Sequence, residues 1–575
     1  MAARLTAYLV AFIVGVTFIA GLIVGAQRAD DGPIDLIIVN GKVFTGDEAS
    51  AEAVAVQGNK VLRVGTNREI QRLARAQTTV IDARGGSVLP GFNDAHLHLL
   101  SGGLALDQVS LDEATTVEAI RQTIRAWADV NPTHPWIRGR GWRYAPFGGA
   151  LPTRQFLDQL VPDRPAYLVA FDGHTGWANS AALALAGITR TTEDPVNGLI
   201  VRDQRGEPTG VLEEAAMGLM SRVLPAPSRD ERLSAARAAI VEANRVGITS
   251  VQNAGGSVDD LELYNELRRR GDLTVRVYQA LSVDQDATPE DLDALDQARV
   301  RFSDDAVLKT GAVEIVADGV VETRTAAMLE PYAGSTDRGH LRMGPADLTR
   351  LVTELDRRGW QVMTHAIGDA AVRATLDAYE AAQSANPAPP RGRRHRIEHI
   401  EAPDPEDVSR FGALGVVASL QPAHGVPPAA DDPWAANLGA DRAAHGWMSG
   451  SLLKAGARLA FGSDWPVVGL DPLLGIFVAV NRTAVDGEPD GSWGPDERLS
   501  LADAIRAFTS GGAWASFDDQ RKGAIERDML ADIVILSEDV FALPPESLLE
   551  AQVVVTIMDG KVVYRRRDTT EATEH

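Results

Sequence analysis

Four times in the central part of the chain a helical apolar pattern ends at a glycine and passes into a short apolar strand. Leu233–Arg245 is followed by Gly247 and Ile248–Gln252, and Ala346–Arg358 by Gly359 and Trp360–Thr364. Asp407–Leu414 is followed by Gly415 and Val416–Leu420, and Leu452–Ala455 by Gly456 and Arg458–Phe461. Apolar residues at helical spacing make one buried face, and a short unbroken apolar run suits a strand covered on both faces. Strands that alternate with helices pair in parallel through right-handed crossovers. The expected fold class is α/β, either an open sheet or a (β/α)8 barrel.

The two ends of the chain read alike. Ile34–Phe44 and Val553–Tyr564 are alternating apolar runs broken at Asn40-Gly41 and Asp559-Gly560, dipeptides that favour tight hairpins. Together with Val54–Val64, Thr79–Ile81 and Asp532–Leu536, they leave too few strands at either end to bury a core alone. Residues 32–88 and 520–567 are therefore expected to share one small β-sandwich. The chain leaves it near Pro90, returns near Lys522, and residues 89–519 make the barrel. A stretch of about 99–230, rich in Pro, Gly and Trp, is too long for one crossover and reads as an insertion over one mouth.

Residues 1–31 stand apart from this fold. The uncharged run Leu5–Ala26, after Arg4, is long enough to cross a ~30 Å hydrocarbon core. It also has the form of a secretory signal with Val24, Gly25 and Ala26 at a cleavage point. Either way the body is expected to be exported, periplasmic or extracellular, with residues 5–26 as its one membrane contact. Residues 568–575 read as a disordered tail.

Composition narrows the chemistry. Lys+Arg 56 against Asp+Glu 79 gives a net charge of −23, which argues against a nucleic-acid partner. With no cysteine there are no disulfides, thiolate nucleophiles or cysteine-ligated metals. A Gly-x-Ser-x-Gly elbow, a phosphate loop and a dinucleotide fingerprint are all missing from the sequence. Any metal must be held by imidazoles and carboxylates.

Such residues recur at one kind of place. In Pro90-Gly91-Phe92-Asn93-Asp94-Ala95-His96-Leu97-His98, an extended backbone points His96 and His98 the same way. His365 closes Trp360–Thr364, His399 closes Arg394–Glu398, and Asp464 follows Arg458–Gly462. Barrel enzymes build their active sites at the C-terminal ends of strands. The repeated placement points to a divalent metal centre.

These residues resemble the metal-dependent amidohydrolase superfamily. Asp172-Gly173-His174-x-x-Trp177-x-Asn179-Ser180, Ala317-Asp318-Gly319 with Arg324-Thr325-Ala326, Thr364-His365-Ala366-Ile367-Gly368-Asp369 and Phe461-Gly462-Ser463-Asp464-Trp465-Pro466 are similar to its YtcJ-like branch, which includes N-substituted formamide deformylases. The resemblance implies a (β/α)8 TIM barrel with a composite β-sandwich. It implies His96, His98, His365, His399 and Asp464 as ligands of one or two divalent ions, zinc foremost. The implied reaction is hydrolysis of a non-peptide C–N bond in a small-molecule amide. A metal-activated hydroxide attacks the carbonyl, and Asp464 takes the water's proton and returns it to the leaving nitrogen. His174 either donates to the substrate oxygen or is a structural residue of the insertion.

The branch carries a bridging lysine where this chain has Glu314. The Glu314 carboxylate either bridges two ions or stands aside from a mononuclear site. Lys309, five residues earlier and out of register, reads as a surface residue. Asp94 reads as orienting a ligand histidine. Asp318 and Arg324 either do the same around Glu314 or pair with each other. Trp177 and Trp465 read as facing the substrate pocket. The other readings are the same metal site used for isomerisation or decarboxylation, and a non-catalytic binding module; oligomerisation is left open.

Overall fold

The computed structural model describes residues 33–46, 49–148, 151–171, 173, 175–195, 198–303, 305–425, 433–485 and 493–567. The expected leader or anchor at 1–31, the tail at 568–575 and His174 lie outside the described residues.

Eight strands form one all-parallel sheet whose neighbours are consecutive in the chain. They are β1 (Phe92–Leu97), β2 (Ile248–Gly256), β3 (Arg276–Ser282), β4 (Leu308–Val316), β5 (Gln361–Gly368), β6 (Arg396–Ala402), β7 (Val417–Leu420) and β8 (Arg458–Phe461). Helices such as Val258–Arg270, Pro289–Arg301, Pro345–Arg357 and Asp369–Ala385 connect them, so the architecture is a (β/α)8 barrel. The seam between β8 and β1 is closed just past the strand ends by main-chain bonds. Asp464 N donates to His96 O at 2.7 Å, and His98 N donates to Trp465 O at 2.8 Å. Gly462 permits this approach, because a Cβ there would overlap the His96 main chain.

The strand and helix readings hold, with different ends. The strand read as Trp360–Thr364 runs to Gly368, and the one read as Arg394–Glu398 runs to Ala402, so His365 and His399 lie within strands rather than closing them. Lys309 is not a surface residue. It is buried, with Nζ donating to Ser516 O at 2.9 Å and to Asp518 Oδ1 at 2.7 Å. A buried lysine needs a charge partner, and Asp518, from the segment that follows the barrel, supplies it.

Strands from both ends of the chain make two further sheets. One has the order Lys60–Gly65, Ala53–Gln57, Leu36–Val39, Thr79–Asp82. In the other, Lys561–Arg565, Val553–Met558 and Ile533–Leu536 join Ser87–Pro90, Lys42–Phe44 and Ala49–Ala51. Ile38, Val54, Val56, Val88, Ile533 and Val555 pack in one core between them. Asp559-Gly560 is the tight hairpin the sequence implies: Met558 faces Lys561, and both turn residues have positive φ. Asn40-Gly41 is not a hairpin. Leu36–Val39 and Lys42–Phe44 lie in different sheets, and Gly41 passes so close to the Val88 side chain that a Cβ would clash. The stretch Val54–Val64, read as one strand, is itself a hairpin, with Gln57 facing Lys60.

Between β1 and β2 the chain first forms α1 (Leu99–Leu106), which packs at Gly103 against Ala235 of α2 (Arg229–Arg245). It then builds a separate six-stranded sheet from Val109–Ser110 to Pro208–Glu214. That sheet has its own apolar core around Ile120, Ile137, Trp142, Leu168 and Trp177.

Candidate metal centre

The end of β1, the middle of β6 and the turn after β8 bring His96, His399 and Asp464 together. One ligand atom from each lies within 4.8 Å of the other two, and all three residues are buried. Asp464 divides its oxygens between two sides. Oδ1 is 3.2 Å from His98 Nε2 and 3.6 Å from His96 Nε2; Oδ2 is 4.0 Å from His399 Nδ1 and 3.9 Å from His424 Nε2. Glu314, on β4, approaches from the far side, with Oε1 4.0 Å from His96 Nε2.

Local backbone strain assembles this group. His399, Ile400 and Asp464 have φ of 75°, 52° and 58°, in the left-handed region that β-branched and bulky residues avoid. Regular alternation would send Glu398 and His399 to opposite faces. The kink at His399 lets both serve one centre.

Glu398 is a residue the sequence reading missed. It is fully buried and accepts from His96 Nδ1 at 2.8 Å and from Arg396 Nε at 2.8 Å and Nη2 at 2.9 Å. Arg396, itself fully buried inside the barrel, also donates to Ala95 O at 2.7 Å. A carboxylate on Nδ1 leaves Nε2 of His96 free to face the centre.

The electrostatics show a centre short of positive charge. Burial alone would raise the Asp464 carboxyl, but His98, His96 and His399 around it hold it far below the usual carboxylate range. Burial works against a charged His96, yet the Glu398 contact and the charges of Asp464 and Glu314 push it up to about 9. Burial pushes Glu314 up. Among the described residues, Asp464 Oδ1 and His424 Nε2 are buried without a hydrogen-bond partner. Unpaired buried acceptors among imidazoles and carboxylates are the donor set a divalent ion takes. The residues present fit a metal.

The comparisons agree with that geometry. Residues 79–564 match the family model described as "Amidohydrolase family". The chain belongs to the amidohydrolase family. Among curated relatives, Protein LONG AFTER FAR-RED 3 of Arabidopsis thaliana is 35% identical over 92% of this chain and 91% of its own. The putative amidohydrolase YtcJ of Bacillus subtilis is 32% identical, over 90% and 96%. N-substituted formamide deformylase of Arthrobacter pascens is 29% identical, over 92% and 98%. An uncharacterized metal-dependent hydrolase from Pyrococcus furiosus superposes with a TM-score of 0.70 at 27% identity, over 88% of this chain and 99% of that one.

Other residues singled out from the sequence occupy varied places in this amidohydrolase. His365 packs edge-on against His399, with ring centroids 4.4 Å apart, but its Nε2 lies 3.3 Å from Gly319 O. It borders the three-residue cluster without joining it. Asp94 acts through main chain, accepting from His96 N at 3.2 Å and Ser463 N at 3.1 Å, and so ties β1 to the turn that carries Asp464. Asp318 and Arg324 neither pair with each other nor orient Glu314. Asp318 accepts from the amides of Ala327, Ile367 and Gly368, which fixes the loop after β4 to the end of β5. Arg324 Nε donates to Asn437 Oδ1 at 2.8 Å.

The two tryptophans singled out from the sequence, Trp177 and Trp465, are packing residues. Trp177 is completely buried in the insertion's own core, 5.9 Å from Trp142 and 5.5 Å from Phe156 between ring centroids, and its Nε1 donates to Thr153 O. It does not face the centre. The Trp465 ring lies against Gly102 of α1, where a Cβ would overlap it; its carbonyl is what touches His98.

Proposed function

We propose that this amidohydrolase is an exported zinc enzyme that cleaves the C–N bond of N-formyl or closely related N-acyl compounds of small size. Hydrolysis of a C–N bond other than a peptide bond follows from the family. The formyl preference is supported by the 29% identity to N-substituted formamide deformylase over 92% of the chain. Zinc is supported by a donor set of imidazoles and carboxylates without thiolates. Export is supported by the apolar run Leu5–Ala26. Among the described residues no helix is long and apolar enough to cross a membrane.

The observation that carries the reading is the cluster of His96, His399 and Asp464 within 4.8 Å, with an unpaired carboxylate oxygen at its centre. These three residues would hold the ion, with His98 and Glu314 beside them. A bound divalent ion supplies Lewis acidity, which polarises a carbonyl and acidifies water near neutral pH. The chain's own residues do the rest. Glu398 holds His96 with Nε2 turned to the centre. Asp464, ionised and acceptor-only, receives the proton of the attacking water and returns it to the leaving nitrogen, a positioned transfer that typically contributes ~10²–10⁴-fold.

The test is direct. The protein from about Asp31 onward is purified, its metal content is measured, and release of formate or amine is followed across a panel of N-formyl and N-acyl amines with zinc, manganese or iron. One or two ions per chain and turnover of at least one amide are expected. A metal-free protein that cannot be loaded, or mass-conserving products, refutes the proposal.

A further inference from the structure

His424 follows β7 in the short turn Pro422–His424 and approaches Asp464 on its Oδ2 side, which His399 also faces. One of its ring N–H groups donates to the Ser463 carbonyl. Its Nε2 is buried with no partner among the described residues, 3.9 Å from Asp464 Oδ2. In the neutral ring that committed N–H leaves Nε2 as a lone pair, which accepts but does not donate. Gln421, which opens the same turn, also has a buried amide nitrogen without a partner. A buried polar atom left unpaired costs stability and calls for an explanation. His424 is not in the three-residue cluster.

Substrate geometry supplies an explanation. A proton returned by Asp464 to the leaving nitrogen leaves through one of its two oxygens. Oδ1 faces His96 and His98; Oδ2 faces His399 at 4.0 Å and His424 at 3.9 Å. A nitrogen about 2.9 Å from both Oδ2 and Nε2, the ordinary hydrogen-bond length, completes a triangle on that edge. Its lone pair then meets the Asp464 proton while its own N–H points at Nε2.

We propose that His424 Nε2 accepts a hydrogen bond from the N–H of the scissile amide, so that the enzyme selects amides bearing a hydrogen on the leaving nitrogen. His424 is thus a specificity-determining residue, and N,N-disubstituted amides are rejected because they leave its lone pair facing an alkyl group. A site built to hydrogen-bond one substrate group discriminates steeply against analogues that lack it. The inference rests on the amide-hydrolysis reading above and fixes which amides that reading covers.

The experiment compares N-hexylformamide with N-hexyl-N-methylformamide, using zinc-loaded wild type, His424→Ala and His424→Asn, with metal content measured on each. Wild type is expected to favour the N–H substrate in kcat/KM by at least ~10²-fold. In His424→Ala the preference falls to within about tenfold, almost wholly through loss on the N–H substrate. His424→Asn, whose side-chain oxygen also accepts, recovers part of it. All three proteins hold the same amount of zinc. A uniform loss on both substrates in His424→Ala, as a purely structural role would give, overturns the proposal; so does loss of zinc from that variant. If wild type cleaves no amide of any kind, the functional reading falls and this inference with it. Equal wild-type cleavage of the two substrates defeats the inference alone.

Discussion

Replacing Glu398 by glutamine keeps its size and removes its charge, and the structure states what should follow. The carboxylate is fully buried and accepts three hydrogen bonds, one from His96 and two from Arg396. Burial would raise it, but the Arg396 charge and the His96 contact hold it down to about 2 against an ordinary 4.5. At about 1.4 kcal/mol per pH unit, the charged form contributes about 3 kcal/mol to folding. A lowered folded pKa means this contribution is present above pH 4.5 and disappears as pH falls toward 2. Glutamine cannot satisfy both neighbours. With its NH2 toward His96, Nδ1 must accept, and the ring proton moves to Nε2, the atom that faces the centre. With its oxygen toward His96, the NH2 opposes the Arg396 N–H groups. Metal-stripped Glu398→Gln should therefore unfold in urea about 3 kcal/mol more easily than wild type at pH 7. Its zinc affinity, read by competition with a fluorescent chelator, should fall about 10–100-fold. A variant that unfolds within about 1 kcal/mol of wild type and binds zinc equally well would refute this account of the buried triad.

Three other outcomes are expected. Asp464→Asn should bind the metal more weakly and, compared at equal metal occupancy, lose at least ~10²-fold in amide turnover, because the amide cannot carry the proton; unchanged turnover at equal occupancy removes Asp464 from that role. Arg276 is buried in a two-pronged pair with Asp532 (2.6 and 2.9 Å) and also donates to Asp559, at 2.9 Å, which joins the barrel to the sandwich. Arg276→Met should cost about 3–5 kcal/mol in urea melts by stranding Asp532, and Arg276→Met with Asp532→Leu should cost clearly less. Lys522 donates to Ser250 and is pushed down to about 8 by burial. The unfolded chain then binds the extra proton between about pH 8 and 10.5, so wild type gains about 3 kcal/mol relative to Lys522→Met across that window. Parallel melting curves for the two proteins would show that Lys522 does not titrate as described.

The alternation of helix and parallel strand was legible because its cause is repetitive: four helix–glycine–strand units carry the same period change within local sequence, whereas closure into a barrel was implied only by the family resemblance. Asp559-Gly560 was legible for the same reason. Asn40-Gly41 carries the same local signal, yet its flanking strands find their partners in different sheets, a choice made by Val88 and Ala83 packed against Gly41. His96, His98 and Asp464 could be found from their positions at strand ends, and His365 and His399 from apolar runs that continue past them as strand. Glu398 could not, because alternation assigns it to the face opposite His399, and only the left-handed backbone at His399 cancels that rule. His424 sits after Pro422 in a turn with no period to read. Trp177 was misplaced because closeness in sequence to a site motif says nothing about which of two cores a ring enters; the insertion has a core of its own.

Closing the barrel and building the centre are one structural event. The main-chain bonds across the β8–β1 seam come from Asp464 and His98 themselves and end on His96 and Trp465. Asp94 reinforces the same seam by accepting from His96 N and Ser463 N. The positive φ of Asp464 is thus held by bonds that any closed barrel here requires, and the strain is offset by the fold rather than by a ligand. It follows that the side chains stand gathered before any ion arrives. Binding then costs little reorganisation, and the turn after β7 that carries His424 lies away from this seam.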